Sequence, residues 1–239
     1  MLLMEKTSLI NSERDRIQAV YTRRGVEVQE DLYAPWQPGE MLMTSERKRI
    51  AVSMLRRLGK FPDNGSRCLE VGYGKLGWLA DLLSWRLNES DLYGIELDPE
   101  RAGKAQRALP AAHLKVGDAT ELPWPEDFFK LAIVSTVFSS VLDSSVRALV
   151  AGEVNRVIAP GGVVILYDLA VNNPRNKDLK AVTRQDVKQL FPTFDHYFKS
   201  LTLAPPIART VARRSWALAV LLSSLPLLRT HLMAVMVKR

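Results

Sequence analysis

The sequence predicts an α/β fold, a doubly wound and mostly parallel sheet covered by helices on both faces. Three observations predict it. Between residues 67 and 167 short, continuous apolar runs alternate with helix-patterned stretches, the signature of strands buried on both sides. A glycine-rich turn with G-x-G-x-x-G spacing, Gly72, Gly74 and Gly77, joins the first such run to a helix. The third is a last apolar run, Leu232 to Val237, which returns to the sheet after a helical stretch.

Residues 1–62 read as an N-terminal helical extension or lid. Ser12 is placed to cap a helix carrying Ile17, Val20 and Tyr21 on its apolar face, and Gly25 to stop it. Asp31 to Gly39, with prolines at 35 and 38, reads as irregular chain whose Tyr33 and Trp36 fold back on the body. From Ser45 to Leu58, Ile50, Met54, Leu55 and Leu58 recur at helical spacing, and Pro62-Asp63-Asn64-Gly65 ends the element. A domain over 63–239 follows. Its strands are expected at 67–71, 92–96, 113–116, 131–135 and 163–167, with helices at 78–85, 100–109 and 146–158 between them. Asp168 to Asn176 reads as a polar loop, 183–190 as a helix and 194–203 as extended chain. A helical insertion, 204–230, precedes the last strand.

Composition narrows the class. Hydrophobic residues make up 47% and charged residues 25% of the chain, as in ordinary globular proteins. A single cysteine, Cys68, excludes an internal disulfide and a cysteine-cluster metal site and fits a reducing compartment; the three histidines are not at ligand spacing, so no metal is expected. The N-terminus lacks the apolar run of a signal peptide, which points to the cytoplasm. The formal charge of +7 is read as solvated helix faces, such as Ser45-Glu46-Arg47-Lys48-Arg49, ahead of a nucleic-acid footprint. Trp216 to Leu228 is too short to span a bilayer and reads as a packed helix, with shallow membrane association as a second reading because Arg209, Arg213 and Arg214 precede it.

Ligands of such sheets bind beyond the carboxyl ends of the strands, so polar residues there carry the chemistry. The glycine turn permits close backbone approach, and free amides at the next helix start favour an electron-rich ligand. Glu70, just before the turn, opposes a pyrophosphate but attracts an ammonium group. Glu96 stands where a carboxylate can accept both hydroxyls of a ribose, and Asp118 where it can accept from an exocyclic amine. Ser135, Tyr167 and Asp168 end the next two strands.

Five stretches, Leu69-Glu70-Val71-Gly72-Tyr73-Gly74-Lys75-Leu76-Gly77, Gly94-Ile95-Glu96-Leu97-Asp98-Pro99, Val116-Gly117-Asp118-Ala119, Leu131 to Ser135 and Val157 to Gly162, together resemble the class I S-adenosylmethionine-dependent methyltransferases. The likeness covers roughly residues 66–168. It implies a Rossmann-like, seven-stranded sheet whose last strand is antiparallel, and S-adenosyl-L-methionine as cofactor with S-adenosyl-L-homocysteine as product. By this resemblance Glu70, Gly72 and Gly74 meet the methionine and ribose portions; Tyr73, a further cofactor-binding candidate, departs from the pattern by standing where small residues are common, and narrows the site. Glu96 then binds the ribose, Leu97 and Ala119 flank the purine, Asp118 reads the adenine edge, and Ser135 lies near the amino acid end. Segments around 171–176, 203–206 and 227–231 are similar to bacterial methyltransferases of small-molecule or surface-glycan pathways.

The acceptor implied is a hydroxyl or amine of a small molecule or glycan. Asp168 is the first candidate for a base, with binding of an acceptor hydroxyl or of the cofactor's surroundings as its alternative, and His231 the second, with a surface or core-edge histidine as its alternative; His113 and His196 read as structural. Two other classes share parts of the pattern: a nicotinamide-dependent oxidoreductase, which has the glycine spacing and the ribose acid, and an RNA-binding module, which suits the charge. Glu70, the second acid Asp118 and the absence of Asn or Asp followed by two prolines after strand four count against them.

Overall fold

A computed structural model describes residues 2–27, 30–174 and 176–239. Arg175, within one of the segments singled out above, lies outside the described residues. Before the sheet come helices α1 (Leu2–Glu27) and α2 (Pro38–Arg57). Here the expectations need correcting. Helix α1 runs through both Ser12 and Gly25, so neither caps nor stops it; α2 begins seven residues earlier than its periodicity suggested, because Pro38 has the fixed φ that suits a first helical turn. Tyr33 and Trp36 are not buried against the body but stand 52% and 67% exposed, with the Arg209 guanidinium 4.9 Å from the centre of the Tyr33 ring.

The chain then alternates through β1 (Cys68–Val71), α3 (Leu79–Ser84), β2 (Leu92–Glu96), α4 (Pro99–Ala108), β3 (His113–Val116), β4 (Phe129–Ser135), α5 (Ser144–Val157) and β5 (Ile158–Leu169). Strand β5 is longer than predicted. Its first turn, Ala159-Pro160-Gly161-Gly162, joins the ladder across a register shift against Phe129 and Leu131, with Gly161 at φ 70°. Next come α6 (Arg184–Leu190), β6 (Phe194–Leu203), α7 (Pro205–Ala212), α8 (Trp216–Ser223) and β7 (Arg229–Lys238). The seven strands lie in the order β3-β2-β1-β4-β5-β7-β6; β1 to β5 pair in parallel and β7 runs antiparallel to both neighbours. The order reverses between β1 and β4, which opens a crevice at their carboxyl ends.

Alternation along the strands divides the core. On one face Leu69, Val71, Ala132, Val134, Val164 and Leu166 pack under α5 and α6; on the other Cys68, Leu131, Ile133, Ile165, Met233 and Val235 pack under α2, α3 and α4. A third, smaller cluster joins Leu42 and Met43 of α2 to Leu203, Ala208, Ala212 and Ala219, anchoring α7 and α8. Among the described residues no helix is long and apolar enough to cross a membrane, and no group of three or more His, Cys, Asp or Glu is arranged to hold a metal ion.

Gly94 in β2 shows how tightly the second face is packed. A Cβ there would stand 2.4 Å from Cδ1 of Tyr73, whose ring is buried and whose hydroxyl donates to the Lys115 carbonyl at 3.3 Å. Gly94→Ala is expected to cost about 1–3 kcal/mol of stability by overpacking. Combining it with Tyr73→Leu should cost less than the two single changes added, as a denaturant double-mutant cycle will read.

Candidate functional site

The crevice between β1 and β4 is shaped first by glycine. Gly72, Gly74 and Gly77 take φ values of 72°, 60° and 51°, a region where other L-residues are strained. At Gly77 there is also no room: a Cβ would fall 2.2 Å from Oε1 of Glu70. The Glu70 carboxylate lies fully buried against the start of α3, where its Oε2 accepts the backbone N–H groups of Trp78 (2.8 Å) and Leu79 (3.0 Å). The amides expected to meet a ligand are therefore taken by this side chain, and the helix start offers no seat for an external anion. Burial, the largest effect, pushes the Glu70 pKa up to about 8 against the pull of the two amides and of nearby Arg47.

Glu96, at the end of β2, closes the turn from the other side. Gly74 N–H donates to its Oε2 at 2.7 Å and Asp98 N–H to its Oε1 at 3.0 Å. Each carboxylate oxygen keeps acceptor capacity for a ligand. Glu96, Leu97, Asp118, Ala119 and Gly72 line one cleft, with Val71, Ile95 and Gly117 beneath and Val137, Ser140 and Val141 forming the opposite wall. Asp118 is held by a hydrogen bond from Thr120 N–H to its Oδ1, 2.8 Å. So five of the residues singled out in the sequence come together. Tyr73 does not join them, because its ring turns under Gly94 into the core and cannot narrow the site. Ser135 lies half-buried at the end of β4, where its carbonyl accepts the hydroxyl of Thr136, a β-branched residue at φ 57°.

Ile17 and Tyr21 of α1 also line the cleft. The helix is tied across it: Glu13 accepts the N–H of Leu142 and pairs with Arg16, and Arg16 donates to the Ser140 carbonyl. The Arg101 guanidinium lies 4.6 Å from the centre of the Tyr21 ring.

The two acid–base candidates lie on opposite faces of the sheet. Asp168 is part of β5 and not of a loop; it is fully buried and accepts Ser139 N–H (3.0 Å) and Leu169 N–H (2.8 Å), and desolvation pushes its pKa up to about 6 despite these bonds and Arg147. Arg147 in turn donates to the carbonyls of Val141 (2.5 Å) and Lys180 (3.1 Å), so the pair braces the 136–143 turn that walls the cleft. His231 stacks on Tyr167 with ring centres 5.0 Å apart, and its Nδ1 shares a 3.0 Å hydrogen bond with the Thr230 hydroxyl. Burial and Arg47 lower its pKa to about 4, so the ring is neutral near pH 7.

Arg47 itself escaped the sequence reading. The run Ser45 to Arg49 is not a uniformly solvated face: Arg47 lies over Trp78 (4.6 Å) and Tyr167 (5.3 Å), Glu46 accepts the N–H of Thr202 (2.9 Å), and Lys48 pairs with Asp81. The buried Arg47 Nε and Trp78 Nε1 donors have no hydrogen-bond partner among the described residues. Thr202 sits at φ 68° and shares a 2.9 Å hydrogen bond with the Tyr167 hydroxyl. No local pattern marks these residues, since the elements that gather them are far apart in the chain.

Comparisons with known proteins agree with the fold. Residues 69–166 match the family model of a methyltransferase domain. A curated relative, (+)-O-methylkolavelool synthase of Herpetosiphon aurantiacus, is 23% identical over 167 residues, covering 66% of this chain and 54% of its own; the chain thus spans about half the length of that relative. Among solved structures, a candidate sarcosine dimethylglycine methyltransferase from Galdieria sulphuraria aligns over 94% of this chain and 98% of its own, with a TM-score of 0.64 at 13% identity. An S-adenosylmethionine-dependent methyltransferase from Mesorhizobium loti aligns over 77% and 96%, with a TM-score of 0.54 at 18% identity.

Glu70 gives the ligand-free fold a pH signature. Between its ordinary value of 4.5 and about 8 the folded chain holds a proton that the unfolded chain has lost, so stability falls as pH rises through that window. Asp168 adds the same sign only up to about 6. From about pH 6.5 to 8 the unfolding free energy should decline, by at most about 1.4 kcal/mol per pH unit from this group. Glu70→Gln, whose carbonyl can still accept the two amides, should flatten the decline in denaturant titrations.

Proposed function

We propose that this chain, which carries a class I S-adenosylmethionine-dependent methyltransferase domain over residues 69–166, transfers a methyl group to a hydroxyl or amine of a small molecule or glycan. The observation that carries the reading is the joint placement of Glu96 and Asp118 at two strand ends around the glycine turn. A ribose diol fits the pinned Glu96 carboxylate, an adenine amine fits Asp118, and Leu97, Ala119 and Val137 supply apolar walls for the purine. A dinucleotide fits poorly. Its pyrophosphate would need the start of α3, where Glu70 already holds both amides.

The amino acid end of the cofactor is zwitterionic, and the residues beside the turn are complementary to it. Glu70 suits an ammonium group; Arg47 and the Trp78 indole N–H, donors without partners, suit a carboxylate. When bound, S-adenosylmethionine supplies a methyl group already activated on a sulfonium, so the protein's main task is to align the acceptor with it and exclude water. Helix α1 is suited to that task as a lid. Of the two proton-moving candidates, Asp168 is occupied as a positioning residue for the 136–143 turn, and His231 is less buried but its lowered pKa leaves it a weak base. The name of the curated relative denotes an O-methylated product, which favours a hydroxyl acceptor.

Calorimetry with S-adenosylhomocysteine tests the cofactor assignment. Saturable binding is expected, weakened by about 1–3 kcal/mol in Glu96→Ala, the scale of lost charge-assisted hydrogen bonds. Arg47→Met should weaken S-adenosylhomocysteine but not methylthioadenosine, which lacks the amino acid end. Binding of a nicotinamide dinucleotide in place of both would defeat the reading.

The lid is tested separately. Ile17→Ala with Tyr21→Ala removes side chains from the cleft wall without touching the sheet, so apo stability should change little while cofactor affinity drops about tenfold and turnover drops further. Full turnover in that variant would show that α1 merely covers the core.

A further inference from the structure

Helix α8, with sequence Trp-Ala-Leu-Ala-Val-Leu-Leu-Ser, has no polar face. Helices that are apolar all round are normally buried in a core or in lipid. Here only Ala219 is buried, while Trp216, Leu218, Val220 and Leu221 are 46–62% exposed, and in the following turn Leu225 is 46% and Leu227 98% exposed. Eight residues span about 12 Å, far less than the roughly 30 Å of a bilayer core, so the helix is suited to lie on a membrane and not to cross it.

Charge selects the occupant of this face. Residues 196–239 contain seven Lys or Arg and no Asp or Glu; Arg209, Lys238 and Arg239 pair with acids of the preceding chain, which leaves Lys199, Arg213, Arg214 and Arg229 as the cations without an ion pair there among the described residues. Arg213 and Arg214, both exposed, directly precede the helix, and neither forms an ion pair among the described residues. Arg213 donates to Gln37 at 2.9 Å, which brings the exposed Trp36 turn alongside. Arginines and a tryptophan bordering an apolar helix match the headgroup and acyl layers of an anionic bilayer. A second copy of the chain fits less well, because a two-fold contact through α8 would bring like-charged arginine pairs toward each other.

We propose that α8, its turn through Leu227 and the Arg213–Arg214 pair form a docking surface for the face of an anionic lipid bilayer. The full-length protein is mixed with large unilamellar vesicles of phosphatidylcholine alone or with 30% phosphatidylglycerol, and bound protein is read by sedimentation and by the blue shift of tryptophan emission. Binding to the anionic vesicles is expected, weakening with salt and falling about fivefold for each arginine removed in Arg213→Gln and Arg214→Gln. Leu221→Glu with Leu227→Glu should abolish it with the thermal unfolding transition unchanged, since both side chains are exposed. No binding, or equal binding to both vesicle types, would overturn the proposal. So would a concentration-dependent dimer that Leu221→Glu dissolves in protein that ignores vesicles, which would make α8 an interface between copies.

Discussion

A carboxylate turned inward onto a helix start is the contact on which the rest of the site depends. Glu70 leaves β1 on the face packed under α2 and α3 and bonds to the first amides of α3, which binds strand, turn and helix into one unit. Its position dictates Gly77, since any side chain there would overlap the carboxylate. It also dictates the polarity of the crevice. The Glu70 carboxyl group already occupies the amides that a nucleotide-binding turn of the pyrophosphate type would leave bare, so the ligand that fits presents a positive or neutral group at this end.

A second carboxylate repeats the device at the neighbouring strand. Glu96 is pinned by Gly74 and Asp98 amides, so its orientation is set before any ligand arrives, and little side-chain entropy remains to be lost on binding. The far wall is braced from behind by Asp168 and Arg147, buried on the opposite face of the sheet. Thr136, at the root of that wall, occupies a strained conformation that the bracing can hold in place. Preorganisation of this sort is what methyl transfer asks of a protein, because alignment and water exclusion make up most of the catalytic contribution.

The C-terminal segment links this architecture to α8. Helices α7 and α8 are fixed to α2 through a small apolar cluster, and α2 also places Arg47 over Trp78 and Tyr167 and Glu46 against the N–H of Thr202. Contact made at α8 therefore bears on the same helix that carries Arg47. The Glu40–Arg209 ion pair at 2.9 Å, partly shielded from water, strengthens that coupling between α2 and α7.

The sequence by itself determined the alternation of strands and helices, the glycine turn, and the acids Glu96 and Asp118, because each is encoded locally: buried strands need unbroken apolar runs, positive φ favours glycine, and a residue just past the carboxyl end of a strand beside the switch in order lies next to the crevice. The seven-stranded sheet with its antiparallel last strand followed from the family resemblance, whereas the order of the strands was decided by the tertiary structure. Only the tertiary structure decided the direction of side chains that answer to distant neighbours. It turned Tyr73 under Gly94, seated Glu70 on amides expected to meet the ligand, buried Asp168 in a longer β5, and lifted Arg47 out of a charged run to lie between Trp78 and Tyr167. Those choices depend on packing and desolvation between elements far apart in the chain, and no local pattern of residues records them.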